Sequence, residues 1–342
     1  MSGGAGRERR RHPCRTSAII LNLFYEEPDG DRWLSFDRYP RRMVRRVLRG
    51  RPPIWGHRRT FLNLCAGLDR IGIRYRVNDY RHARRNPREL ACIVGKPFVL
   101  DKMTWRNPIL FGPATFDHPI DDPDLFQRRP IRKVVVYGAW LKEMWKPYWD
   151  EPIVAWPVGI DTDTWRPAPA SAKRFDVLLY DKVRWEHDRY DRELIEPTRR
   201  ALRAAGRSFR EIRYGFYREE DFHAALAECR VVIFLCEHET QGIAYQQALA
   251  CGTPIFAWNR GGAWRDPAFY PDRVTFEPVS SIPYWDERCG GEFAAAADFE
   301  MAWPRFWDEF RRGAYDPRAY IMENLTLEKC AANYVAIAKG LA

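Results

Sequence analysis

Along the chain, short apolar runs alternate with longer stretches in which apolar residues recur every three or four positions. The clearest unit spans residues 231–259. Six consecutive apolar residues, 231–236, are too few for a globular helix and do not alternate with polar ones, so they predict a buried parallel strand covered on both faces. The polar turn 237–242 then leads into a short helix over about 243–251, which Gly252 stops from a left-handed position and Pro254 keeps from continuing. A second strand, Ile255–Trp258, follows. Strand, turn, helix and strand form a βαβ unit, whose ligand edge lies beyond the carboxyl ends of the strands, here at Glu237 to Gly242. The free N–H groups that open the helix at Gly242 and Ile243 suit an anion such as a phosphate.

The same alternation covers the rest of the chain. Residues 18–24 read as a buried strand, 60–71 as an amphipathic helix with Leu62, Cys65, Leu68 and Ile71 on one face, and Arg74–Val77 as the strand after it. Further apolar runs fall at 92–94, 97–100, Ile109–Phe111 and 133–137, with a helix over 139–148. A proline-led helix over 197–205, a strand over 209–214 and the helix Glu219–Glu228 lead into the central strand, which residues 175–180 precede as another strand. Asn259 to Gly262 form a second glycine loop at a strand end. Residues 286–297 read as irregular, 304–312 as an aromatic-bearing helix, and Asp316 and Pro317 open a last helix running to about Lys339. Alternating strands and helices predict an α/β protein with doubly wound sheets. Pro167, Pro169 and the small residues through Ala172 are linker-like. The expected division is a basic tail over 1–15, a first domain over 16–157, a linker over 158–174, a second domain over 175–314 and a terminal helix over 315–342.

Length permits two domains: the chain has 342 residues, and a single core stops growing near about 250 to 300. The formal net charge of +10 favours acidic partners such as nucleotide phosphates, anionic headgroups or nucleic acid. Residues 38–51 concentrate that charge around Met43, Val44, Val47 and Leu48. Two readings stay open there, a helix docked on the core or one resting on an anionic membrane surface. No run approaches the roughly 18 apolar residues of a membrane span. The eight cysteines are scattered, with no Cys-x-x-Cys pair and no histidine at ligand spacing, which suits a reduced cytoplasmic protein without structural zinc. Arg7 to Arg11 begins as a signal peptide would, but the apolar segment behind it is short and runs into Tyr25, Glu26 and Glu27, so it reads as a first strand behind a loose tail.

Glu239-Thr-Gln-Gly242 and Gln247-Ala-Leu-Ala-Cys-Gly-Thr-Pro254 resemble the donor-sugar motif of family 4 glycosyltransferases, in which Glu-Gly-Phe-Gly leads, eight positions on, to Glu-Ala-Met-Ala-Cys-Gly-Thr-Pro. Pro157-Val-Gly-Ile-Asp161-Thr-Asp-Thr-Trp165-Arg-Pro167 is similar to the family's Asn-Gly-Val-Asp-x-x-x-Phe-x-Pro seam between two domains. The resemblance implies the glycosyltransferase B fold, two Rossmann-like domains facing a cleft, with the terminal helix crossing back to the first. It implies a nucleotide-sugar donor, with Glu239 on the transferred sugar and Gln247, where the family has Glu, on the ribose hydroxyls, which an amide also hydrogen-bonds. Thr240, Gln241, Gly242 and Ile243 complete the donor side. Lys182 and Arg184 stand after a strand where the family carries an Arg and a Lys for the diphosphate, although its Gly-Arg and later Lys are not reproduced. In the first domain Gly56 and His57 open a loop and helix of the kind that faces the cleft. Asp117 joins them on the acceptor side, and His118, beside it after a strand, is a candidate catalytic base or part of a plain polar loop.

The expectation is a retaining glycosyltransferase whose acceptor is a glycan, a lipid-linked saccharide or a small molecule. No cofactor or metal is expected: Lys182, Arg184 and the helix N-terminus would stabilise the departing nucleoside diphosphate where other enzymes use magnesium. Nucleic acid is not an expected partner, and the expected location is the cytoplasm or, peripherally, the inner face of the membrane. The rival reading is a non-catalytic nucleotide- or glycan-binding protein that keeps the fold, supported by Gln247; sugar transfer or donor hydrolysis separates the two. A dinucleotide-dependent oxidoreductase is a weaker rival, because no Gly-x-Gly-x-x-Gly follows a strand.

Overall fold

A computed structural model describes residues 19–27, 56–149 and 152–341. The basic tail and the 38–51 segment therefore lie outside the described residues. The first sheet contains β1 (Ile20–Phe24), β2 (Arg74–Val77), β3 (Ala91–Ile93), β4 (Ile109–Phe111), β5 (Ile131–Val136) and β6 (Ile153–Ala155), in the order β2-β1-β3-β4-β5-β6. The second contains β7 (Phe175–Asp181), β8 (Phe209–Arg213), β9 (Cys229–Leu235), β10 (Ile255–Trp258) and β11 (Gly290–Phe293), in the order β11-β10-β9-β7-β8. All paired strands are parallel. Apolar residues of the inner strands are buried on both faces because helices cover both sides of each sheet.

In each sheet the second strand lies outside the first, so the strand order reverses between β1 and β3 and again between β7 and β9. Ligands of such sheets bind at this reversal, beyond the carboxyl ends of the strands. In the second sheet the register sets Asp181 beside Leu235 and Arg213, and Leu235 beside Trp258, so Lys182, Cys236, Tyr214 and Asn259 leave the sheet at one level.

The two lobes are joined three times. The chain first crosses at the seam, where the Ile160 N–H donates to the Leu325 carbonyl at 2.8 Å. It returns through residues 259–281, whose Trp264, Phe269, Val274 and Val279 enter the core of the first lobe beside Phe111, Val134 and Trp145. It returns again with the helix Leu327–Lys339, which buries Ala331, Tyr334, Val335 and Ala338 against the first lobe and whose Cys330 carbonyl accepts from Trp156 Nε1 at 2.8 Å.

Four elements differ from the sequence reading. The apolar run at 97–100 is not a strand but a 3₁₀ turn, Pro97–Asp101, because its leading proline cannot donate to a ladder. The irregular stretch 286–297 contains β11, hidden by its two glycines. The aromatic helix begins at Ala296 rather than Pro304, which lies inside it. The last helix is two, Pro317–Asn324 in the second lobe and Leu327–Lys339 on the first, with Thr326 capping the second through a bond from the Lys329 N–H.

Candidate active site

The reversal in the second sheet brings together the turns after β7 and β9. Lys182 leaves β7 with its N–H on the Leu235 carbonyl at 2.8 Å, and its ammonium contacts Glu239 Oε1. Both side chains are nearly sealed, 11% and 9% exposed, and the Tyr214 ring lies 4.5 Å from the ammonium. Burial pulls the Lys182 pKa down more than any single group acts on it, but Glu239, Cys236 and Tyr214 together outweigh it and the ammonium stands above its ordinary value. Arg184 is exposed. Its guanidinium lies 3.3 Å from His238 Nδ1 and donates to the His238 carbonyl at 3.2 Å. Glu237 Oε1 accepts the N–H groups of Arg184 and Trp185 at 2.8 and 2.9 Å, which fixes the cationic turn to the end of β9. His238 is packed by Trp140 and Trp185. Burial first, then Arg184, Arg260 and Lys182, hold its imidazole down to about 2.

The next residues bind the lobes to each other. Trp140 Nε1 donates to the Glu239 carbonyl at 2.8 Å, and Gly138 lies so close to Thr240 that a Cβ there would stand 2.8 Å from its carbonyl oxygen. Gln241 Oε1 accepts from the Val158 N–H at 3.0 Å and its amide donates to Gln246 Oε1 at 2.8 Å, so this side chain secures the seam. Gly242 caps the helix Ile243–Ala250 with φ +78°, and Ile243 packs into the cores of both lobes. Gln247, 7% exposed, points into a cavity of about 170 Å³ walled by Arg59, Asn63 and Ala66 of the helix Gly56–Arg70 and by Asp161 and Trp165 of the seam. Lys182, Arg184 and Glu239 are not among the residues that wall it.

Across the junction, His57 Nδ1 lies 3.1 Å from Tyr137 Oη, and Tyr137 O accepts from Tyr284 of the second lobe. Gly56 and Asp117 are exposed, and Asp117 acts electrostatically on His57. His118 stands apart from this group. It is 0% exposed, its Nδ1 accepts from the Ile120 N–H at 3.1 Å, and Tyr148, Trp264 and Phe269 enclose the ring. The sequence reading did not single out Tyr137 or Trp140, and gave Glu237 and His238 only as part of the turn at the ligand edge. Each directly follows β5 or β9 or stands within a few residues of its end, and that position was the available signal. Among the described residues no group of three or more His, Cys, Asp or Glu is placed to hold a metal ion, and no helix is long and apolar enough to cross a membrane.

No protein-family model matches the sequence, and no curated protein matches it. Solved structures do. AviGT4, a glycosyltransferase involved in avilamycin A biosynthesis, is similar with a TM-score of 0.52 at 13% identity, over 94% of this chain and 98% of that one. WaaB, a lipopolysaccharide outer core galactosyltransferase, gives 0.50 at 9% identity, over 94% and 100%. TarM gives 0.51 at 12% identity, over 72% of this chain and 54% of that one. At these identities the likeness is one of fold: the chain has the two-domain, Rossmann-like glycosyltransferase B fold.

Proposed function

We propose that the protein is a glycosyltransferase that moves a sugar from a nucleotide-sugar donor to an acceptor hydroxyl. The observation that carries this reading is the nearly sealed Lys182–Glu239 pair with Arg184 beside it, set where the strand order of the second sheet reverses and facing the first lobe. Two cations at one turn suit a diphosphate, and their charge stabilises it as it departs. Glu239, whose backbone carbonyl meets Trp140 of the first lobe, suits the hydroxyls of the transferred sugar. Gln247 has no side-chain hydrogen bond of its own among the described residues and is free to bond a ribose hydroxyl that enters its cavity. Gly56, His57 and Asp117 form the acceptor side, for a glycan, a lipid-linked saccharide or a small molecule. The reading needs no metal.

Arg184 gives the cleaner test because it is exposed and makes no carboxylate pair among the described residues. With EDTA present, Arg184→Ala is expected to weaken UDP, GDP or dTDP binding roughly 10- to 150-fold, the equivalent of about 1.5 to 3 kcal/mol for a charge-assisted bond. Calorimetry should show binding of the matching nucleoside unchanged. Equal loss for both ligands overturns the diphosphate assignment. Nucleotide-sugar binding with neither transfer nor hydrolysis favours the non-catalytic reading.

A further inference from the structure

The backbone of Glu239 is held from both lobes. Its N–H donates to the Ser280 carbonyl at 2.9 Å. The next residue, Ser281, donates its N–H to Asn259 Oδ1 at 3.0 Å and its hydroxyl to the Trp258 carbonyl at 2.8 Å, so this side is tied to the end of β10 in the second lobe. On the other side the Glu239 carbonyl accepts from Trp140 Nε1 of the first lobe at 2.8 Å. The indole is itself held. Trp140 stands in the first turn of the helix Ala139–Trp145, which follows β5. Its half-buried ring stacks on Phe276 with centroids 6.3 Å apart and meets the His238 ring edge-on at 5.6 Å. Phe276 belongs to the segment whose Trp264 and Phe269 are buried in the first lobe's core, so moving the indole aside would open that packing. The two residues after Glu239 take support from the same quarter: Gly138 abuts Thr240, and the Val158 N–H reaches Gln241 Oε1.

We infer that Trp140 is a positioning residue for the donor, holding Glu239 where its carboxylate meets the hydroxyls of the transferred sugar, an inference that rests on the glycosyl-transfer reading above. A carboxylate meets a ligand in one geometry only where the backbone that carries it is fixed. The cations of the diphosphate are placed by other bonds. Lys182 leaves β7 with its N–H on the Leu235 carbonyl, and Glu237 accepts the Arg184 N–H, both within the second lobe. Loss of the indole bond therefore separates the two ends of the donor: the sugar end is loosened and the diphosphate end is kept.

Calorimetry with UDP-glucose, GDP-mannose and dTDP-glucose, each beside its nucleoside diphosphate, tests this. Trp140→Phe keeps a ring against Phe276 and His238 but has no N–H to donate. It is expected to raise the Kd of the matching nucleotide sugar about 10-fold, the order of one lost hydrogen bond to a charged group, and to leave the Kd of the nucleoside diphosphate unchanged. Gly138→Ala acts on the same turn from a second point. Gly138 has an extended backbone, φ −149°, which alanine adopts freely, so the added methyl meets only the Thr240 carbonyl oxygen at 2.8 Å. It should produce the same split between the two ligands. A role in the fold alone would weaken both ligands together or neither; either result in the two variants overturns the inference and leaves the transferase reading standing. A wild-type chain that binds no nucleotide sugar overturns both. Independently of any ligand, ¹⁵N NMR of tryptophan-labelled protein, with the Trp140 indole assigned by its loss in Trp140→Phe, should show that indole N–H slow to exchange with solvent. Exchange as fast as that of a free indole overturns the inference.

Discussion

Lys182 and Glu239 depend on each other for more than ligand binding. Each is nearly sealed from water, so truncating one leaves the other charge buried and unpaired. Lys182→Ala is expected to cost about 3 to 5 kcal/mol in a denaturant melt. Lys182→Met combined with Glu239→Gln should recover most of that, because no lone charge remains. A single variant as stable as the wild type would show that water reaches the pair. The motif resemblance assigns Glu239 and the place after an apolar run assigns Lys182, and the alignment of β7 with β9 explains why the two meet. His118 was assigned on the same grounds, yet its ring is enclosed by Trp264 and Phe269, which come from far along the sequence. A local pattern carries no sign of so distant a cover.

The helix Ile243–Ala250 and the strand Ile255–Trp258 were legible because a strongly apolar run, a glycine and a proline mark their ends unambiguously. β11 was not legible, since Gly290 and Gly291 give it neither apolar nor β-branched character; its place is set by pairing with β10. The break between the last two helices was also silent: there the Leu325 carbonyl accepts from the Ile160 N–H of the seam, a partner no local pattern reveals. At the head of the motif helix, Gly242 holds a positive φ, and a Cβ there would stand 1.9 Å from the Tyr245 ring. That ring is held in turn by Tyr284, whose N–H donates to Tyr245 Oη at 3.1 Å. Gly242→Ala therefore adds left-handed strain of about 1 to 2 kcal/mol to a steric clash. Its urea midpoint should fall with little change in the slope; an unaltered midpoint would mean that the turn before the helix can relax freely.

Three imidazoles set the response of the whole molecule to acid. Burial is the first cause in each: His57 and His118 are held to about 4 and His238 to about 2. In the unfolded chain they titrate near about 6.5. Between those values the unfolded chain binds more protons than the folded one, so the stability these rings contribute is complete above about pH 6.5 and is lost as the pH falls, through His57 and His118 toward 4 and through His238 toward 2. The melting temperature should decline over that interval, and His118→Asn should make the decline shallower. A melting temperature that is flat or rises on acidification contradicts this account.

The first lobe does not own all of its core. Trp264, Phe269, Tyr334 and Val335 complete packing that begins with Phe24 and Leu23, so strands that leave the ribosome early wait for side chains that leave it late. The second lobe also draws on late sequence, since Tyr320, Ile321 and Leu325 pack with Leu178 and Val232. The half translated first therefore cannot close its core until nearly the whole chain is made, and its apolar strands, waiting longest, are the part of the nascent chain most in need of a chaperone.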